Sequence, residues 1–233
     1  MDKGGKKVRR IRLIVAYDGT NYCGWQVQPN GISVQAVLQK TIEELVGEKI
    51  MLTGASRTDS GVHALGQVAV FDTTKPWPAE RFTPALNQRL PRDIVIQSSD
   101  EVAADFHPRY RDTLKTYEYR ILNRRTALPN ERFDSYWVPQ PLDVEAMAEA
   151  AKLLLGKHDF HNFCSLKTDV EDTVRTITQI SVEKDGDMIR VRITGDGFLY
   201  NMVRIIVGGL LKVEKKKKTS EDSWRDQRRR HTA

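Results

Sequence analysis

RRIRLIVAYDGTNYCGWQVQPNGISVQAVLQKTIEELVG, residues 9–47, holds the strand and helix whose reading decides the fold. Arg9 to Tyr17 alternates basic and apolar residues, then runs apolar, and stops at Asp18-Gly19, as a strand entering a turn does. After a polar loop, Ser33 can cap a helix. Val34, Val37, Leu38, Ile42, Leu45 and Val46 recur at helical spacing, and Gly47 ends the run. Downstream, Lys49 to Leu52 reads as a short strand and Thr53 to Gly61 as a Gly/Ser/Thr/Asp loop. Gly66 to Asp72 is a strand, Ala79 to Leu90 a helix broken by Pro84 or starting there, and Ile94 to Gln97 a strand. The order βαββαβ is the ferredoxin-like pattern.

The second half repeats it. Lys115 to Leu122 is a strand, and Asp143 caps a helix from Val144 to Leu155 that Gly156 closes. Val174 to Glu183 and Met188 to Thr194 flank the hairpin turn Lys184-Asp185-Gly186-Asp187. Leu199 to Val213 is a helix, and no final strand follows it. The expected layout is a basic tail (1–8), a first half (9–104), a second half (105–213) and a basic, disordered tail (214–233) without apolar periodicity.

The net charge of +6 invites a nucleic-acid reading, yet residues 1–12 and 212–230 each carry +5, leaving −4 on the body. One stretch of the body stands apart. Residues 107–132 interleave Arg109, Arg111, Lys115, Arg120, Arg124, Arg125 and Arg132 with Tyr110, Tyr117 and Tyr119. Phosphate contact and base stacking need that mixture, and an amphipathic strand also accounts for it. The longest apolar run, Ile205 to Leu211, is too short to span a bilayer, and no signal peptide is evident, so a cytoplasmic protein is expected. Cys23 and Cys164 have neither CxxC nor ligand spacing, which argues against zinc and against a structural disulfide.

Four places could carry chemistry. In Thr53–Ala64 (TGASRTDSGVHA), Asp59 stands on a sharp turn before Ser60-Gly61, with Arg57 two residues away. Its carboxylate can aim into a cleft or simply close an Asx-turn. His63 has no Ser or Cys nucleophile nearby, which favours a structural hydrogen bond. Tyr17–Pro29 is either a loop packed by Trp25 or a place where nucleic acid approaches closely. Arg204 lies in the most apolar helix, so it faces solvent or pairs with a carboxylate.

Six runs, in order, resemble the tRNA pseudouridine synthase A (TruA-type) family. They are Tyr17-Asp18-Gly19-Thr20 with Tyr22 and Gly24-Trp25-Gln26; Arg57-Thr58-Asp59 with Gly61-Val62-His63-Ala64; Phe106-His107 with Arg109; Lys115-Thr116-Tyr117-Glu118-Tyr119; His158-Asp159-Phe160; and Phe198-Leu199-Tyr200 with Met202-Val203-Arg204 and Val207-Gly208. The resemblance implies an α+β pseudouridine synthase fold, a mixed, largely antiparallel sheet from two ferredoxin-like halves with flanking helices and an active site in the cleft between the halves. It implies a homodimer that acts on uridines 38 to 40 of the tRNA anticodon stem-loop without metal or organic cofactor.

By the same resemblance Asp59 is the catalytic carboxylate, acting as a nucleophile or as the base that removes a sugar proton. Arg57 holds the flipped nucleotide, Tyr117 stacks on the target base, and Arg204 keeps Asp59 ionised. His63, Phe106, His107 and Tyr119 support the cleft. Two departures stand out. Ser56 replaces the usual glycine before Arg57, and the chain after Val213 lacks the family's closing strand. The alternative is therefore a tRNA-binding protein of the same fold with impaired catalysis.

Overall fold

Alternation along the first strand sets the first layer. In the computed structural model, which describes residues 7–109, 113–165 and 172–213, β1 (Arg9–Tyr17) buries Ile11, Leu13, Val15 and Tyr17 on one face. Its other face carries Arg10 and Arg12, bonded to Asp72 and Asp100 on the two neighbouring strands. Arg9 pairs with Glu101. Three of the arginines counted with the basic N-terminus are thus engaged within the sheet. Such solvent-screened pairs contribute little, whereas each fully buried aliphatic side chain contributes about 1.5–3 kcal/mol. The apolar face, not the ion pairs, holds this strand in place.

The chain divides into two compact units, residues 1–111 and 112–233. In the first, β1 is followed by α1 (Val34–Val46), β2 (Thr53–Gly54), β3 (Ala64–Thr73), a 3-10 turn (Ala79–Arg81) that runs into α2 (Phe82–Asn87), and β4 (Ile94–Val102). Ser33 caps α1 by accepting from the Ala36 amide at 3.2 Å, and Gly47 closes it with φ +68°. The strand order is β2-β3-β1-β4 with every pair antiparallel, which is the split βαβ arrangement expected of a βαββαβ unit. Pro84 sits in the first turn of α2, where its missing amide would have had no partner in the helix.

One expected strand is not there. Among the described residues Lys49 to Leu52 pairs with no strand, because α1 side chains satisfy its backbone instead. Glu43 and Gln39 accept from the Ile50 and Leu52 amides at 3.3 Å each, and Gln35 donates to the Leu52 carbonyl at 2.8 Å. Sheet pairing begins only at Thr53.

The second unit contains β5 (Lys115–Asn123), β6 (Tyr136–Val138), α3 (Val144–Lys152), β7 (Gly156–Asp159), β8 (Val174–Asp185), β9 (Met188–Gly195) and α4 (Met202–Leu210). The order is β6-β5-β9-β8-β7; the β5–β6 pair is parallel and the rest are antiparallel. Its core joins Ile121, Met147, Phe160, Ile177, Ile189, Val191 and Ile193 to Met202, Ile206 and Leu210 of α4. The protein is therefore of α+β class with mixed, largely antiparallel pairing.

Both helices of this unit are shorter than their apolar patterns. Asp143 caps α3 as expected, accepting from Ala146 at 3.1 Å, but the helix stops at Lys152. Gly156, at φ +95°, turns the chain into β7. The helix expected from Leu199 begins at Met202 because Asn201 adopts φ +59° and breaks helical continuity. Ser165 holds that irregular entry: its amide donates to the Tyr200 carbonyl at 3.3 Å, and its Oγ accepts from Asn201 at 2.9 Å. The expected disordered tail, and the final strand read as missing, lie outside the described residues. Among the described residues no helix is long and apolar enough to cross a membrane.

Candidate active site

The Asp59 loop is built from the end of β1 and the segment after it. The Trp25 amide donates to the Thr58 carbonyl at 3.1 Å, and the Tyr17 and Thr58 hydroxyls meet at 2.8 Å. Gly24 has φ +104°, and a Cβ there would collide with the Thr58 carbonyl oxygen. Only glycine lets the two backbones come this close. Beyond Asp59 the chain reverses: the Val62 amide donates to the Asp59 carbonyl and the Gly61 amide to the Tyr22 carbonyl, each at 3.2 Å, with Gly61 at φ +75°. Asp59 itself is half-buried and Arg57 is exposed.

Trp25 is fully buried, tilted against Tyr17 at 5.9 Å, and its indole lies where a Cβ on Gly54 would be. The Tyr17–Pro29 segment thus uses Trp25 as core. Of the two readings of this segment, loop packing accounts for Trp25.

His63 fastens the turn after β1. Its Nδ1 lies 3.1 Å from the Gly19 amide, from which it accepts, and 3.0 Å from an Asp18 oxygen. One nitrogen cannot serve both at once. The neutral Nε2–H tautomer accepts from Gly19, and a protonated ring would donate to Asp18. The Thr20 hydroxyl and amide hold the Asp18 carboxyl below the usual carboxylate range, with His63 adding to the effect.

Phe106 and His107 occupy the segment after β4. The Phe106 carbonyl accepts from Arg10 at 3.0 Å, and the Arg12 guanidinium lies 5.7 Å from the Phe106 ring centre. His107 Nδ1 accepts from the Arg109 amide at 3.2 Å, while Arg109 Nε donates to the Gly54 carbonyl at 2.8 Å. This places the Phe106–Arg109 run beside the start of the Asp59 loop. Ser56 causes no strain: among the described residues only Asn201 is a non-glycine at positive φ. The Ser56 carbonyl accepts from Gln67 at 2.6 Å.

In the second unit, Tyr117 and Tyr119 are half-buried on the same face of β5, the face against which α4 packs. Phe198 meets the Tyr117 ring edge-on at 4.8 Å. Burial raises the Tyr119 pKa, while the positive charge of Arg204 opposes that rise. Arg204 is exposed, so α4 does not bury a bare cation. In the basic stretch around them, Arg120 pairs with Glu131, Arg124 with Asp187, and Arg132 stacks on Phe133. Part of its charge is therefore engaged within the unit.

Sequence reasoning missed how Gly24, Thr58 and Gln67 lock the loop backbone. The signal for Gly24 was available in Gly24-Trp25, a glycine beside a large buried ring. Nothing in the spacing marks Thr58 or Gln67.

A family model described as tRNA pseudouridine synthase matches residues 13–111 and 150–227, one stretch in each unit. The chain belongs to the tRNA pseudouridine synthase family. The second matched stretch runs past Val213, where the motifs read in the sequence stop. Among curated relatives, tRNA pseudouridine synthase A 2 of Clostridium perfringens is 50% identical over 214 residues, covering 92% of this chain and 88% of that protein. tRNA pseudouridine synthase A of Acetivibrio thermocellus is 50% identical over 206 residues, covering 88% and 84%. The same enzyme of Halalkalibacterium halodurans is 47% identical over 216 residues, covering 92% and 82%. A solved Cbf5-Nop10-Gar1 complex aligns at 14% identity and a TM-score of 0.33, over 85% of this chain and 54% of that one. Membership in the synthase family rests on the sequence matches alone.

Proposed function

We propose that this chain isomerises uridine to pseudouridine in the anticodon stem-loop of tRNA, at positions 38 to 40, with Asp59 as the catalytic carboxylate. Isomerisation breaks the N1–C1′ bond, turns the base and joins C5 to C1′; the C5 proton leaves to solvent. The target must leave the stack, at an unstacking cost of about a few kcal/mol. A carboxylate held in one place can attack the sugar or base, or take a sugar proton.

The observation that carries this reading is the fixed Asp59 turn, gripped from Gly24, Trp25 and Tyr22, within a stretch that the family model matches. Arg57, exposed beside it, is suited to hold the flipped nucleotide. Tyr117, edge-on to Phe198, offers a ring for stacking on the target base. Arg204 binds substrate and keeps the carboxylate ionised, the role that the family resemblance implies. His63, Phe106, His107 and Tyr119 hold these groups in place.

The test is loss of tritium from C5-labelled tRNA. Asp59→Ala removes that release and leaves tRNA binding intact; release by the variant at the wild-type rate refutes the assignment. Site mapping of the product on anticodon stem-loops checks positions 38 to 40. A homodimer located in the cytoplasm completes the proposal, supported by the family resemblance and checked by sedimentation and by fractionation of cells. Nothing in the fold or the comparisons favours the reading of a binding protein with impaired catalysis.

A further inference from the structure

Strand β1 ends in a place where both of its neighbours lose register. Against β3, Arg9↔Thr73 through Val15↔Gln67 follow one register, but Tyr17 pairs with Ala64, one residue further along than that register requires. Against β4, Arg10↔Val102 through Ile14↔Ser98 keep step, and Val15 then pairs with Ile96. The extra residue lies on the partner strand in both cases. Bulges bend a strand, raise its twist and re-aim side chains, and they gather beside active sites. Here the irregularity on the β3 side falls where the chain leaves the Asp59 loop, and it leaves Leu65 almost wholly exposed.

The side chain at that position is Tyr17. Its ring is in the core, 4% exposed and packed on Trp25, and its hydroxyl reaches the Thr58 hydroxyl at 2.8 Å. Phenylalanine would fill the same core space. The hydroxyl is what the packing does not explain. Thr58 is already held by its carbonyl, which accepts from Trp25 and abuts Gly24. The hydroxyl contact is a second tie on the residue that leads into Asp59.

We propose that Tyr17 is a positioning residue for the isomerisation: through the Thr58 hydroxyl, the end of β1 fixes the direction of the Asp59 carboxylate. This rests on Asp59 being the catalytic carboxylate. Tyr17 acts through Thr58 and touches neither the base nor the sugar. A misplacement of about 1 Å at a reacting group costs on the order of 100-fold in rate. Loss of the tie therefore slows the chemical step without weakening capture of the RNA.

The experiment measures the single-turnover rate of C5 tritium release at saturating enzyme, the tRNA dissociation constant and the melting temperature. The variants are Tyr17→Phe, Thr58→Val, Thr58→Ser, the double Tyr17→Phe/Thr58→Val, and Asp59→Ala as a reference. The expected result is a rate about 10- to 100-fold lower for Tyr17→Phe and for Thr58→Val with an unchanged dissociation constant. The double variant is no slower than the worse single, since both remove one interaction. Thr58→Ser keeps the hydroxyl and most of the rate.

A wild-type rate for Tyr17→Phe overturns the proposal. So does a loss confined to Thr58→Val, which would mean that Thr58 touches the RNA itself, and so does a loss that follows the dissociation constant. Should Tyr17→Phe fail to fold, the half-buried Thr58 carries the test through the comparison of valine with serine. If Asp59→Ala retains the rate, the reading of Asp59 fails first. If Asp59→Ala is inactive and Tyr17→Phe is fully active, only the positioning role fails.

Discussion

Gly24 shows how a single residue limits what the Asp59 loop can be. Its φ of +104° and its approach to the Thr58 carbonyl exclude a side chain on two independent grounds. Gly24→Ala should cost about 1–3 kcal/mol from the backbone conformation, with the collision adding to it. Urea unfolding measures the loss, and a neutral substitution would contradict the close approach of the two backbones. Asp59 was not decided by its own neighbours in the sequence, since an Asx-turn needs the same Asp-Ser-Gly run. The ordered motifs raised it above that reading. The Tyr17–Thr58 bond was out of reach, because 41 positions separate two residues whose meeting depends on a register shift.

At the scale of the elements, β1 and α1 were legible to the residue because each has one wet and one dry face. Strands β6 and β7 were not. All four residues of β7 are exposed, and β6 is exposed at Tyr136 and Trp137, so neither shows the alternation that reveals a strand. The false strand at Lys49–Leu52 has a different origin: an apolar pattern cannot report that helix side chains have taken its backbone groups.

Just before it, Glu48 ties the end of α1 to the end of β3. Burial alone would raise its pKa, but hydrogen bonds from Thr74 and Thr73 outweigh burial and hold it below its ordinary value. A carboxyl depressed in the folded state adds stability that is fully present above its unfolded pKa. That stability is lost as the pH falls through the folded value. Glu48→Gln should therefore lower stability at pH 7, and its gap to wild type should close below about pH 4. Denaturant midpoints across that range measure it; a gap independent of pH would contradict the assignment.

Across the whole molecule, each of the two units carries residues to which the family resemblance gives a role: Asp59, Arg57 and His63 in the first, and Tyr117, Tyr119 and Arg204 in the second. The second unit's share is tested through charge. If Arg204 keeps Asp59 ionised, Arg204→Gln raises the pKa of that carboxylate, and the acid limb of the rate profile moves to higher pH. A slower variant with an unmoved limb would restrict Arg204 to RNA binding. The βαββαβ order of the first unit could be read from its sequence, although its second strand lies at Thr53–Gly54 and not at Lys49–Leu52, because hydrogen bonding between distant segments leaves no local mark. The family match in both units makes one reaction the common test of both. That test is tritium release from C5-labelled tRNA, with wild type and Asp59→Ala side by side and binding measured on the same RNA. The account predicts release by wild type, none above background by the variant, and equal affinity for both. Release by Asp59→Ala at a rate comparable to wild type would contradict it.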